Sequence, residues 1–204
     1  TMIVAHVNHN LRGKDSDADE KLVKEYAKEY GLKFELMKIE WQHGRNAINR
    51  VSTAAIANLE AKCREKRYDF LHKIKEKHNA KYIVTAHHLN DNIETFFLNF
   101  IRGASLNGLC GMKECEGYVL RPLLNCTKDE ILKYAKENEL KWNEDSTNQD
   151  EDFVRNRIRL NILPEIKKIN PGFEKVFLNN LNNLREVGEY LRQLTPQPPL
   201  FENR

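Results

Sequence analysis

Residues 82–112 read YIVTAHHLNDNIETFFLNFIRGASLNGLCGM, and the change of character within them decides the fold. Residues 81–86 are expected to form a strand and residues 91–102 a helix, with the polar step His87-His88 between them. Working outward, Met2 to His6 is a short apolar run that suits a buried parallel strand. Asp15, Ser16 and Asp17 offer capping groups before a helix over 17–30, which Gly31 ends. Residues 33–39 form the next strand, 41–57 an irregular loop, and 58–78 a long helix. A strand–helix order repeated three times implies right-handed crossovers and an α/β fold with a doubly wound parallel sheet.

Beyond Gly103 the pattern changes. Gly103, Gly108, Gly111 and Gly117 punctuate a loop with a small hairpin. Thr127-Lys128-Asp129-Glu130 is a capping box that opens a helix to about residue 139. A helix over 152–163 is expected to stop before Pro164, and Asn170-Pro171 to start another at its first position. Phe173, Val176, Phe177, Leu181, Leu184 and Leu191 carry that last helix forward as a helical extension, and residues 195–204 form a tail.

Composition narrows the function classes. Basic residues number 33 and acidic residues 30, a net charge of +3, so any nucleic-acid surface has to be a local patch. No apolar run approaches the roughly 20 residues that span a bilayer. Cys63, Cys110, Cys115 and Cys126 form no C-x-x-C pair and read as reduced thiols in a cytoplasmic protein.

Polar groups gather where strands end. His87, His88, Asp91 and Glu94 lie at the third strand's exit, the place where open α/β sheets bind ligands. Asp91 and Glu94, three apart, share a helix face and could hold Mg²⁺ or the ammonium of an amine substrate. Their ordinary alternative is to complement a helix dipole. His6, His9 and Arg12 follow the first strand. Glu60, Arg64 and Arg67 lie along one side of the long helix, where a surface ion pair is the plain alternative. Arg155, Arg157 and Arg159 follow an acidic run over 145–152; their forks suit phosphate, and a solvated mixed-charge face is the alternative.

Six blocks occur in order: V-N-H-N-L-R (7–12), N-L-E-A-K-C-R-E-K-R-Y (58–68), A-H-H-L-N-D-N-I-E-T (86–95), I-R-G-A-S-L-N-G-L-C-G-M (101–112), R-P-L-L (121–124) and W-N-E-D-S-T-N-Q-D-E-D-F-V-R-N-R-I-R (142–159). Together they resemble the tRNA(Ile)-lysidine synthetase family, within the N-type ATP pyrophosphatases. The resemblance implies an adenine nucleotide alpha hydrolase-like, Rossmann-like domain over 1–125 and a helical extension over 126–204, with 142–164 closing the active site. It further implies ATP, Mg²⁺, L-lysine and an isoleucine tRNA with a CAU anticodon. In that family ATP adenylates C2 of the wobble cytidine, and the ε-amine of lysine then displaces AMP to give lysidine.

Residue by residue, the resemblance makes Asp91 and Glu94 the lysine-binding and catalytic acids; it leaves the metal ligands open, with Asp91 the candidate for Mg²⁺. Arg64 joins them near the activated base or the phosphates. His6, Arg12 and His87 line the ATP side, and Arg67, Arg155 and Arg159 contact tRNA. Two positions depart from the pattern. Asn90 stands where the family usually has an aspartate, which weakens a metal role there. No S-G-G-x-D-S loop precedes the first strand, so the chain is read as a truncated or split protein that needs an N-terminal segment for ATP turnover, with an oligomer left open. The alternatives are a non-catalytic tRNA-binding fragment and a related tRNA thiolase. The absence of C-x-x-C counts against the thiolase.

Overall fold

The computed structural model describes residues 2–40, 53–144 and 154–194. Residues expected to form the acidic run over 145–152, the first part of the loop over 41–57 and the terminal tail lie outside the described residues. The chain divides into two compact units. One comprises Thr1–Ile83, Gly117–Leu120 and Tyr134–Asp152; the other comprises Val84–Glu116, Arg121–Lys133 and Phe153–Arg204. This partition by compactness interleaves the 1–125 and 126–204 segments.

In the first unit, β1 (Ile3–Asn8) and β2 (Lys33–Lys38) run parallel, in register from Ile3 opposite Lys33 to Asn8 opposite Lys38. The connecting helix α1 (Lys14–Glu29) starts three residues earlier than expected, directly after Gly13. Gly13 has φ of 57°, a conformation that glycine adopts without the Cβ penalty, so the chain turns there and Asp15 and Asp17 fall inside the first turn. Asn8, buried at the end of β1, joins strand to helix: its Nδ2 donates to Glu20 Oε2 at 2.8 Å and to Asp17 Oδ1 at 3.2 Å. The long helix α2 (Thr53–Lys77) begins within the stretch read as loop, a correction over 53–57. β3 (Ile83–Val84) is shorter than the strand expected over 81–86, and the Ile83 N–H donates to Tyr118 O beside β5 (Val119–Leu120).

The second unit is mainly helical. α3 (Leu89–Ile101) is followed by the single turn α4 (Leu106–Leu109) and the short strand β4 (Cys115–Glu116). The capping box opening α5 (Lys128–Glu137) is present as expected: Glu130 Oε2 accepts the Thr127 N–H at 2.7 Å, and Thr127 Oγ1 accepts the Glu130 N–H at 3.1 Å.

The helix expected to stop before Pro164 does not stop. α6 (Val154–Arg157) widens into a π-helical turn (Ile158–Ile162) and continues as α7 (Leu163–Ile169), with Pro164 in its first turn. A proline has no N–H to donate, and its ring presses on the carbonyl four residues before it. A widened turn immediately upstream accommodates both defects without breaking the rod. Asn170 closes α7, and α8 (Phe173–Leu194) starts two residues beyond Pro171.

Leu89, Ile93, Ile158, Leu163, Phe177 and Leu181 form this unit's core, extended by Phe96, Phe97, Ile166 and Phe173. Phe96 and Phe177 meet edge to face with centroids 5.2 Å apart. The glycine loop is locked onto the same core. Asn92, 1% exposed, accepts the Met112 N–H at 2.8 Å, while Arg185 of α8 donates to the carbonyls of Cys110 and Met112. Gly111 sits at φ 64°, and a Cβ there would overlap Asn92 Oδ1 and touch Leu181. Gly111→Ala is therefore expected to cost about 2–4 kcal/mol, combining the left-handed backbone with a lost buried hydrogen bond. Urea unfolding checks this, and an unchanged midpoint would remove the lock.

Candidate functional site

Within the second unit the site is built on the start of α3. His88 is the N-cap: its Nδ1 accepts the Asp91 N–H at 3.3 Å, and Asp91 Oδ2 accepts the His88 N–H at 3.0 Å. A ring nitrogen that accepts carries no proton, so the 3.4 Å approach of His88 Nδ1 to Asp91 Oδ2 is not an ion pair. The cap holds one Asp91 oxygen and directs the carboxylate to the helix N-terminus, where the macrodipole favours its charge. His87 Nδ1 lies 2.9 Å from Thr85 Oγ1. Asn90 Oδ1 accepts the Lys128 N–H at 2.8 Å, so in this chain that position ties α5 to α3.

Glu94 is one turn further along and wholly buried, at 0% exposure. Its carboxylate takes a two-pronged contact from Arg159, Nε to Oε1 at 2.7 Å and Nη2 to Oε2 at 3.1 Å. Arg155 Nε approaches Oε2 at 3.5 Å. Arg155 Nη2 also donates to Thr95 Oγ1 at 3.1 Å, and that hydroxyl donates to Asp91 O at 2.8 Å. Glu94's hydrogen bond, and after it the fields of Glu94 and Asp91, raise the pKa of Arg159 despite its partial burial. The structure thus brings Asp91, Glu94, Arg155 and Arg159 together. Arg157, on the same helix, is exposed.

The first unit holds a separate group at the exit of β1. Arg12 Nη2 pairs with Asp19 Oδ2 at 2.8 Å, and Asp19 Oδ1 accepts from Asn143 at 2.8 Å. Arg67 Nη2 donates to His9 Nε2 at 3.2 Å. Burial, then the neighbouring Arg67 and His6, push the His9 pKa down from 6.5 to about 4. Burial also lowers the pKa of His6, against the fields of Glu20 and Asp19. Arg64 is exposed, with its guanidinium 4.9 Å from the centre of the Tyr68 ring. The Glu60 side chain lies outside the described residues.

Sequence reasoning did not single out Asn8, Asn92, Thr95, Arg121 or Arg185. Four of them stand inside the quoted blocks, and three of these, Asn8, Asn92 and Thr95, adjoin residues that drew attention instead. Arg185 lies in none. Arg121 is buried and grips the preceding loop through Lys113 O at 2.8 Å. Among the described residues no group of three or more His, Cys, Asp or Glu side chains could hold a metal ion. The hollow of about 210 Å³ lined by Phe96, Phe97, Phe173, Phe177, Asn180, Leu181 and Leu184 carries no charged group and suits no nucleotide. Among the described residues no helix is long and apolar enough to cross a membrane.

A family model described as a PP-loop domain matches residues 1–166. The chain is 34% identical over 183 residues to a protein of Bacteroides thetaiotaomicron named tRNA(Ile)-lysidine synthase, covering 90% of this chain and 41% of that one. It is 37% identical over 190 residues to the protein of that name from Persephonella marina, covering 93% and 40%. It is 34% identical over 198 residues to that of Bacillus subtilis, covering 95% and 40%. The chain therefore spans about two-fifths of the length of these relatives. Among solved structures, the U34-tRNA thiolase NcsA from Methanococcus maripaludis with its [4Fe-4S] cluster superposes with a TM-score of 0.66 at 19% identity, covering 90% of this chain and 61% of that one. That likeness confirms the expected α/β fold.

His9 gives this region a pH signature. The unfolded chain takes a proton on this residue near 6.5 but the folded chain only near about 4, so protons favour unfolding and stability falls as pH drops through that window. The melting temperature of the His9→Gln variant is expected to fall less than that of the parent between pH 7 and pH 4. Parallel curves would refute the shift.

Proposed function

The chain belongs to the PP-loop domain family, and from that premise we propose that it carries amine and tRNA chemistry of lysidine formation. In this reading the O2 oxygen of the wobble cytidine in an isoleucine tRNA with a CAU anticodon attacks the α-phosphorus of ATP, and pyrophosphate leaves. The ε-nitrogen of L-lysine then attacks C2. The C2–O bond breaks, AMP leaves with the oxygen, and the nitrogen sheds its extra proton. The observation that supports this most directly is the pairing of Asp91 and Glu94 on one face at the start of α3, beside two arginines in the same unit. Carboxylates suit a cationic amine, and guanidinium forks suit the phosphates that accompany it.

In this assignment Asp91 and Glu94 recognise the ε-ammonium. Arg64 acts near the activated base, and His6, Arg12 and His87 line the nucleotide. Arg67, Arg155 and Arg159 contact tRNA. No stretch of residues 1–204 reads S-G-G-x-D-S, so the backbone cradle for the triphosphate is assigned to none of them. The described residues suit Mg²⁺ as a partner of ATP rather than as a caged ion. Mg²⁺ takes most of its coordination from phosphates and water, and Asp91 is the residue that would supply a carboxylate. When bound, the ion would neutralise phosphate charge. Sulfur transfer of the thiolase kind is less well supported, because no C-x-x-C pair occurs and among the described residues no group of three or more His, Cys, Asp or Glu side chains could hold a metal cluster. Four cysteines outside any disulfide and a tRNA substrate suit a cytoplasmic setting.

The test is ATP-dependent transfer of labelled lysine to that tRNA by the full-length protein. Asp91→Asn keeps an acceptor for the His88 cap and removes the charge, so kcat/KM for lysine is expected to fall about 10–100-fold with little change in melting temperature. An undiminished rate sinks the assignment. For Arg155→Ala, the slope of log affinity for tRNA against log salt is expected to shrink by about one unit if the side chain meets a phosphate. An identical slope takes Arg155 out of the interface.

A further inference from the structure

A wholly buried carboxylate stays ionised only if a cation answers it, and at Glu94 that cation is the protein's own. The Arg159 fork covers both carboxylate oxygens, and Arg155 stands behind one of them. We propose that Arg159 is the resident occupant of the amine site, and that free lysine gains Glu94 by displacing the Arg159 guanidinium. The inference rests on the lysine reading of Asp91 and Glu94 above.

Three observations carry it. The first is steric and electrostatic. Arg159 and Arg155 already flank the Glu94 carboxylate, and an ammonium added beside them would set a third cation on one buried carboxylate whose two oxygens the Arg159 fork already covers, so entry has to be exchange and not addition. The second is that the exchange leaves the helix anchored. Arg155 holds Thr95 Oγ1 at 3.1 Å as well as approaching Glu94, and Ile158 and Leu163 stay in the core on either side of Arg159. Arg159 can therefore leave while its helix stays. The third is access: the Arg159 side chain is 27% exposed although the carboxylate it covers is at 0%, so the guanidinium is the outer partner of the pair.

Exchange has a thermodynamic corollary. A displaced guanidinium gives up its buried carboxylate, and phosphate is the anion this reading supplies in that carboxylate's place. Lysine binding and phosphate binding at this face are then positively coupled, each strengthening the other by the same factor. If Arg159 holds the carboxylate in nine of ten free molecules, apparent lysine affinity is reduced about tenfold.

The experiment is calorimetric titration of L-lysine into the full-length protein, with and without the tRNA, for the parent, Arg159→Met and Arg159→Lys, using L-norleucine as the control lacking the ε-amine. Arg159→Met is expected to bind lysine about tenfold tighter than the parent without tRNA, and to gain nothing further when tRNA is added. Lysine, but not norleucine, should raise its melting temperature by refilling the emptied place. Should that variant fail to fold, Arg159→Lys offers a single-point ammonium in place of the fork, and it too is expected to bind lysine tighter than the parent. Equal or weaker lysine affinity in a folded variant overturns the exchange while leaving lysine transfer by the parent intact. A parent that neither binds nor transfers lysine with tRNA and ATP present overturns the functional reading and the exchange together.

Discussion

The ionisation of Glu94 organises the second unit. A carboxylate at zero exposure obliges the chain to deliver cations to it, and the cations come from 61 and 65 residues further on, Arg155 and Arg159. The helix that carries them is packed by Ile158 and Leu163 against Leu89 and Ile93 of the helix that carries Glu94. Apolar packing and charge pairing thus specify the same docking of two helices. Breaking such a pair from one side is far costlier than never having built it, because the remaining charge stays buried without its partner. That asymmetry makes each arm of the network dependent on the others.

The first unit solves a different problem with similar means. Two parallel strands need a crossover, and the crossover helix has to be fastened at its start. Asn8 does this from the last position of β1. Its amide nitrogen reaches Asp17 and Glu20, its oxygen takes the Asn10 N–H, and its own carbonyl receives the Ile39 N–H. A neutral amide among two acids is a connector that leaves the charges for other partners, and Lys38 takes Glu20 at 2.9 Å.

What could be read directly from residues was local. The strands around β1 and β2, the capping box at Thr127 and the i, i+3 alignment of Asp91 and Glu94 follow from period and spacing, and all three hold. The parts that escaped depend on distant partners. Glu94 and Arg159 were read as separate ligands for lysine and tRNA, because nothing in either block says that the two side chains meet. Asn92 and Arg185 escaped for the same reason, since their partners are backbone groups of a loop and backbone groups have no residue-type signature. Pro164 misled for a local reason. Its rule as a helix breaker is sound, but a widened turn upstream satisfies the rule without ending the helix.

That turn also sets the angular bookkeeping of the rod. An α-helix advances by about 100° per residue, so the extra residue a π-turn accommodates rotates everything beyond it by about that much. Arg155 and Arg159 can then point at a buried carboxylate while Leu163 and Ile166, a few positions on, still face apolar neighbours. In a strictly regular helix Arg155, Arg159, Leu163 and Ile166, spaced by four, four and three, would crowd onto one face, and the widened turn offsets the later pair from the earlier one. The widened turn acts as a phase shifter, letting a single rod present a charged face and an apolar face to the same neighbour.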